Sequence, residues 1–381
     1  MPVSRGRKPK KKNKKPVGAQ KAQAMEPSAL PDWIPGAIEI VLAEAGVLLK
    51  AQGPRELEEA TASLLGAELH RAIQGANNGL DFDLFFEAVV LAVSNAEPRQ
   101  EHWLLLQGMS AISPPGFESF VRASVSRLRK ALRSEVLPEW PRLAAKIKAT
   151  GDVWELQDVY GTRLGVFATF SYPSDAATTV YEFEIDTSWI PRLVGGGVHD
   201  SLDQAADAWR KRFGGSAEPE PVTDPDRLEG LVNRSLDILG DESRTILDNW
   251  YRAERRYLTL DTALKNRGLR LPPIRSYYSD IDPPVMTVPF NAWHLETFGN
   301  EPDYLVVEEL AAEWMEGVIP ATWFAVSPDR LDHVTVLIGD WADDPVRRAA
   351  QALMPKWVRW LGERAGLPSA LVEGMVAKAT K

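Results

Sequence analysis

The stretch TTVYEFEID, residues 178–186, decides the fold class. Tyr181, Phe183 and Ile185 alternate with Glu182, Glu184 and Asp186, the period of two that belongs to a β-strand. Apolar side chains on one face and carboxylates on the other predict a sheet with one face on a core and one in water. Upstream, TRLGVFATFSY (162–172) reads as a partner strand joined through PSDAA, and downstream GGGV (195–198) is a third, short strand. HDSLDQAADAWRKRF (199–213) then reads as a helix: Ser201 and Gln204 form a capping box, and Leu202, Ala205, Ala206 and Trp209 make its apolar face.

Around this unit the periodicity is helical. Residues 34–49, the run starting at Pro54, the run after the N-cap Asp81, and a long stretch with Phe117, Phe120, Val121, Val125, Leu128 and Leu132 on one face all read as helices, the last ended or kinked by Pro138. GGSAEPEPVTDPD is a linker by composition, and helical periodicity returns from Arg227 to Arg267. LPPIRSYYSDIDPPVMTVP reads as irregular, EPDYLVVEELAAEWMEG as a helix, and TWFAV with HVTVLIG as a hairpin around SPDRLD. Two helices close the chain, from Asp344 to Arg364, interrupted at Pro355, and from Pro368 to Lys378, with Gly366 turning between them.

The expectation is an α+β, predominantly helical protein. A small antiparallel sheet, with strands from two distant regions, carries helices packed on it behind a disordered basic N-terminal tail. The organisation is a tail at 1–30, a helical region at 31–150, a β-hairpin plus helix unit at 151–214, a linker at 215–226 and an α+β C-terminal region at 227–381.

Residues 164–213 resemble the small HicB-type antitoxin module, which runs strand, strand, short strand, helix and opens its helix with a G-D-T-x-E-E-A signature. The matching stretch is HDSLDQA, with Asp200, Ser201, Asp203 and Ala205 in the family's polar, hydroxyl, acidic and Ala places. The family's P-D-L-P-G loop corresponds to DTSWIPRLVGGG, which keeps Asp186, Pro191 and a Gly. The resemblance covers only these residues and implies a partner-binding sheet rather than catalysis.

Charge is distributed unevenly. Residues 1–25 hold nine Lys or Arg and no acid, while the rest carries 35 basic against 53 acidic residues, a body of −18. The tail's cations are Arg5, Arg7, Lys8, Lys10, Lys11, Lys12, Lys14, Lys15 and Lys21. Between Arg122 and Lys148 eight basic residues face two acids, and Arg122, Arg129 and Arg133 fall on one helical face. Residues 276–329 hold ten acids and no Lys or Arg.

Motifs with a fixed chemistry are missing. No cysteine is present, which removes disulfides, thiolate metal sites and a Cys nucleophile. There is no phosphate-binding glycine loop, and the GGG at 195–197 reads as a flexible turn. No H-E-x-x-H and no G-x-S-x-G occur. The residual catalytic candidates are Asp186, His199 and Asp200, and Glu182, Glu184 and Asp186 are the metal-ligand candidates on the strand's wet face.

The reading is a cytoplasmic, non-enzymatic interaction or regulatory protein without a cofactor. Its arm would contact nucleic acid or a ribonucleoprotein by phosphate neutralisation, with Arg122, Arg129 and Arg133 as further contacts. A protein partner would sit on the 164–213 unit or on the acidic window. No uncharged apolar run is long enough to span a membrane. The alternatives are an enzyme of unrecognised family, with a metal-dependent hydrolase as one form of it, and a self-regulated protein whose arm lies on its own acidic surface.

Overall fold

A computed structural model describes residues 30–75, 80–173, 178–215, 217–223, 228, 244–269 and 281–380. The tail, the PSDAA turn after Pro173 and the helical reading of 229–243 lie outside the described residues.

The chain is α+β and mostly helical. Helices α1 (Trp33–Glu44), α2 (Pro54–Gln74), α3 (Phe82–Asn95), α4 (Gln100–Ala111) and α5 (Glu118–Ala131) come first. Asp81 caps α3 by accepting from the Leu84 amide at 2.8 Å, and Pro54 opens α2 where its missing N–H is not needed. Helix α5 stops at Ala131, so Leu132 and Arg133 lie just beyond it and Pro138 does not end it.

Strands β1 (Lys148–Gln157), β2 (Arg163–Ser171), β3 (Thr178–Asp186) and β4 (Arg192–His199) form an antiparallel meander. After α6 (Leu202–Phe213), the short β5 (Glu220–Pro221) adds to the edge at β1, giving the order β4-β3-β2-β1-β5. The sheet is therefore built from neighbouring residues, and among the described residues no C-terminal strand joins it. The GGG run is part of β4, not a turn. Strand β1 bulges at Gly151, whose φ of +87° suits a residue without a Cβ. Arg267, at the end of α7 (Arg244–Asn266), holds the bulge by donating to the Gly151 and Thr150 carbonyls at 2.9 and 2.8 Å.

Both faces of the sheet are covered. Leu164, Val166, Ala168 and Phe170 of β2, with Tyr181, Phe183 and Ile185 of β3, join one hydrophobic cluster that takes in α1 to α5 and α7. Each fully buried side chain of this size stabilises by roughly 1.5–3 kcal/mol. The 151–214 unit thus shares its core with residues before and after it. On the opposite face α6 lays Trp209 over Phe167, edge to face at 6.2 Å. Gly165 makes room for the indole, since a Cβ there would collide with it.

The C-terminal helices are α8 (Pro284–Phe298), α9 (Tyr304–Met315), α10 (Pro328–Gly339), α11 (Asp344–Arg364) and α12 (Ser369–Ala379). They enclose a second cluster in which Phe290 packs between Trp357 and Trp360. The hairpin expected at TWFAV and HVTVLIG does not form: TWFAV is a turn, and HVTVLIG lies in α10, which Ser327 caps by accepting from the Arg330 amide and in which Leu331, Val334 and Ile338 bury one helical face. The stretch expected to be irregular contains α8 from Pro284 onward, and α11 runs through Pro355.

One ion pair inside the first cluster ties three elements together. Arg256 of α7 donates to Glu58 of α2 at 2.6 Å and to the Tyr172 hydroxyl after β2 at 2.8 Å, and Tyr172 donates to Glu58 at 2.7 Å. Against the cost of full burial, Glu58 holds the guanidinium charged, and burial together with Glu58 pushes the Tyr172 phenol up. Removing one partner strands a buried charge, which costs about 3–5 kcal/mol. Glu58→Leu should lower the urea unfolding midpoint accordingly, and adding Arg256→Met should restore part of the loss. Additive effects of the two changes would contradict the pairing.

Candidate functional site

Strand β3 turns Glu182, Glu184 and Asp186 toward the α6 side of the sheet, and all three are buried. The face expected to be wet is therefore closed. Alternation reports that a strand has two unlike faces, not that the polar one meets water. Carboxylates two residues apart on one face repel, so burial requires a counter-charge for each.

The register supplies them. Opposite Asp186 stand Arg163 of β2 and Arg192 of β4, and opposite Glu184 and Glu182 on β4 stand Gly195 and Gly197. Arginines from the strand ends and from α6 reach across this low ground. Arg163 donates to Glu184 at 2.8 Å, Arg212 of α6 bridges Glu184 and Glu182, and Arg192 donates to Asp186 at 3.2 Å. His199 Nε2 lies 2.8 Å from Glu182, and Asp186 also accepts from the Ser188 amide and hydroxyl at 2.9 and 2.6 Å. Against the cost of its burial, Asp186, Glu184 and Asp329 hold the Arg163 guanidinium well above its ordinary pKa. Burial pushes the Glu184 carboxyl up, and Arg163 and Arg212 offset that in part.

The network continues into the C-terminal helices. Arg163 spans Glu184 and Asp329 at the start of α10, the latter at 3.1 Å. Beside it the Trp189 ring meets that of His333 of α10, tilted by 37° with centroids 4.4 Å apart, and rests against Gly317, where a Cβ would strike the indole. Another arginine, the buried Arg330, has no carboxylate partner among the described residues: it donates to the Trp314 carbonyl at 2.6 Å and to those of Thr322 and Ala325, and burial pushes its pKa down to about 9.

Of the sequence-predicted catalytic set, the structure joins His199 to Glu182 rather than to Asp186. Asp200 turns away to pair with Arg55 of α2, whose hydrogen bond holds its carboxyl below the usual range. The metal candidates Glu182, Glu184 and Asp186 each face a cation, and among the described residues no group of three His, Asp or Glu side chains is placed to hold a metal ion. The arrangement is a closed ion-pair lattice that locks α6, the sheet and α10 together. Arg163, Arg192, Arg212 and Asp329 were missed in the sequence. The signal for them was the run of three carboxylates on one strand face, which demands cations from neighbouring strands.

The basic candidates sit elsewhere. Arg122 and Arg129 are exposed on α5, opposite the buried Val121, Ser124 and Leu128, and Arg133 is exposed just after it. Arg127 and Lys130 are exposed beside them. Arg122, Arg127, Arg129 and Arg133 have no side-chain partner among the described residues. Every other arginine whose side chain is described has a carboxylate, a carbonyl or an aromatic ring. Arg5, Arg7, Lys8, Lys10, Lys11, Lys12, Lys14 and Lys15 lie outside the described residues.

No protein-family model, curated protein or solved structure matches the chain.

His333 makes the junction sensitive to pH. Burial, then the charges of Arg192 on β4 and Arg330 on its own helix, hold its imidazole below the ordinary value, against the pull of Asp186. A lowered folded pKa means that the unfolded chain takes up the proton first. This contribution to stability is whole above the ordinary histidine range and is lost as pH falls through it. Between about pH 7.5 and 5.5 the unaltered chain should lose thermal stability relative to His333→Phe. A difference in Tm that stays constant over that range would contradict this.

Proposed function

We propose that the chain is a non-enzymatic binding protein that engages a polyanion, RNA or DNA, in the cytoplasm. Its contacts are the basic arm and the exposed arginine face of α5. The observation that carries this reading is the distribution of arginine partners. A body of −18 has acids enough to pair its arginines, and among the described residues it pairs them nearly everywhere. The group on and after α5 is left with exposed guanidinium forks, whose geometry suits phosphate. The negative remainder would repel a polyanion, so binding concentrates where the cations are. Contacts of this kind neutralise phosphates and carry no base readout. The closed lattice on β3 gives the hydrolase alternative no support.

A second reading keeps a protein partner on residues 164–213, as the HicB-type resemblance implies. It is favoured by β4 lying at the edge of the sheet, where a partner strand could add.

The test is binding to a labelled duplex and to a single-stranded RNA by fluorescence anisotropy, from about 50 to 200 mM salt. Changing Arg122, Arg129 and Arg133 together to Gln should weaken binding and flatten the log–log salt slope by about three, roughly one per cation removed. Deleting residues 1–21 should weaken it further. If both variants bind as the intact chain does, the reading is wrong.

A further inference from the structure

We infer that the exposed apolar face of α8 and the first turn of α9 dock the chain's own basic arm. The face needs an occupant. Helix α8 carries a single charged residue, Glu296, in PVMTVPFNAWHLETF. One side buries Met286, Phe290 and His294 in the C-terminal core. At helical spacing the opposite side presents Val285, Val288, Ala292 and Leu295, all exposed, with Val288 at 66%. A helix with a single charge belongs in an interior, and here one half has no cover among the described residues. Phe298 at the end of α8 and Tyr304 and Leu305 in the first turn of α9 are exposed as well, with Leu305 at 65%. Half of the strongly exposed large apolar side chains among the described residues fall between positions 285 and 305.

Charge selects the occupant. From Ile281 to Asp329 there is no Lys or Arg. Asp282, Glu296 and Glu301 border the patch, and none makes an ion pair among the described residues. A second copy seated here would bring acids against acids. The arm is the opposite case, with nine cations and no acid in its first 25 residues. Lysine fits a mixed surface of this kind: its methylene stem covers apolar area while the ammonium reaches a carboxylate at the rim. An ammonium already meets this face at its edge: Lys356 Nζ of α11 lies 4.4 Å from the centre of the Phe298 ring and 3.1 Å from His294 Nε2.

Reach is sufficient. The 29 residues before Leu30 span up to about 100 Å when extended, and a globule of this size has a radius of gyration of roughly 20 Å. A tethered segment also has a high effective concentration, so weak contacts populate the docked form. Docking would hold the arm back from a polyanion and release it when a stronger anion competes. That consequence rests on the function proposed above, whereas the docking itself can be tested without nucleic acid.

The chain lacks cysteine, so Ser4→Cys and Asn13→Cys each give one attachment point for a benzophenone photo-crosslinker. Equal parts of ¹⁵N-labelled and unlabelled protein, irradiated at about 50 mM and about 1 M salt, separate contacts within a chain from those between chains; at the higher salt the screening length is about 3 Å. The expected result is crosslinks within one chain to residues 282–309, several-fold fewer at high salt. They should also be several-fold fewer after Glu296→Lys with Glu301→Lys, exposed changes that leave the core intact. Crosslinks spread over the surface, crosslinks to this face between chains, or no change in the double variant would each overturn the inference. None of these outcomes bears on whether the protein binds nucleic acid.

Discussion

Three carboxylates buried on one strand face set the terms for the rest of the structure. Glu182, Glu184 and Asp186 cannot share a dry face unless each is answered by a cation. The answers come from β2, β4 and α6 in the form of Arg163, Arg192 and Arg212, and His199 lies within hydrogen-bond distance of Glu182. Because Arg163 also holds Asp329, the same lattice anchors α10 and, through it, the helices around Phe290. A buried ionic network is a weak source of net stability. Its value lies in fixing one arrangement, since a misplaced helix would leave a charge without a partner.

The consumption of cations by the fold gives the surface its character. Arginines are spent on β3, on Glu58, on the β1 bulge and on the carbonyls around Arg330. What remains outside is segregated by sign. The arginines left without a side-chain partner among the described residues gather on and after α5, and the C-terminal helices α8 and α9 present carboxylates beside apolar side chains. The proposed polyanion contact and the proposed docking of the arm are two consequences of that separation.

Much of the fold was legible where local chemistry is unambiguous. Period-two alternation placed β3, and side-chain oxygens at Asp81 and Ser201 placed the starts of α3 and α6. Helix α10 was misread because its Val- and Ile-rich run has strand propensity, while the Ser327–Pro328 start signal and the spacing of Leu331, Val334 and Ile338 pointed to a helix. Helix α8 was hidden by its prolines, two of which occupy its first turn or the residue before it. The closed carboxylate face was hidden because alternation does not say what covers a face. The apolar side of α6, with Trp209, was the clue that a second layer had to lie there.

The lattice on β3 is tested most directly by native-state hydrogen exchange on Arg163→Gln. That change keeps the strand and removes the one charge shared by Glu184 and Asp329. The amides of β3 and of the first turns of α10 should lose protection together, while those of α3, remote from the lattice, keep theirs. Unchanged protection in both β3 and α10 would contradict the claim that these ion pairs join the sheet to the C-terminal helices.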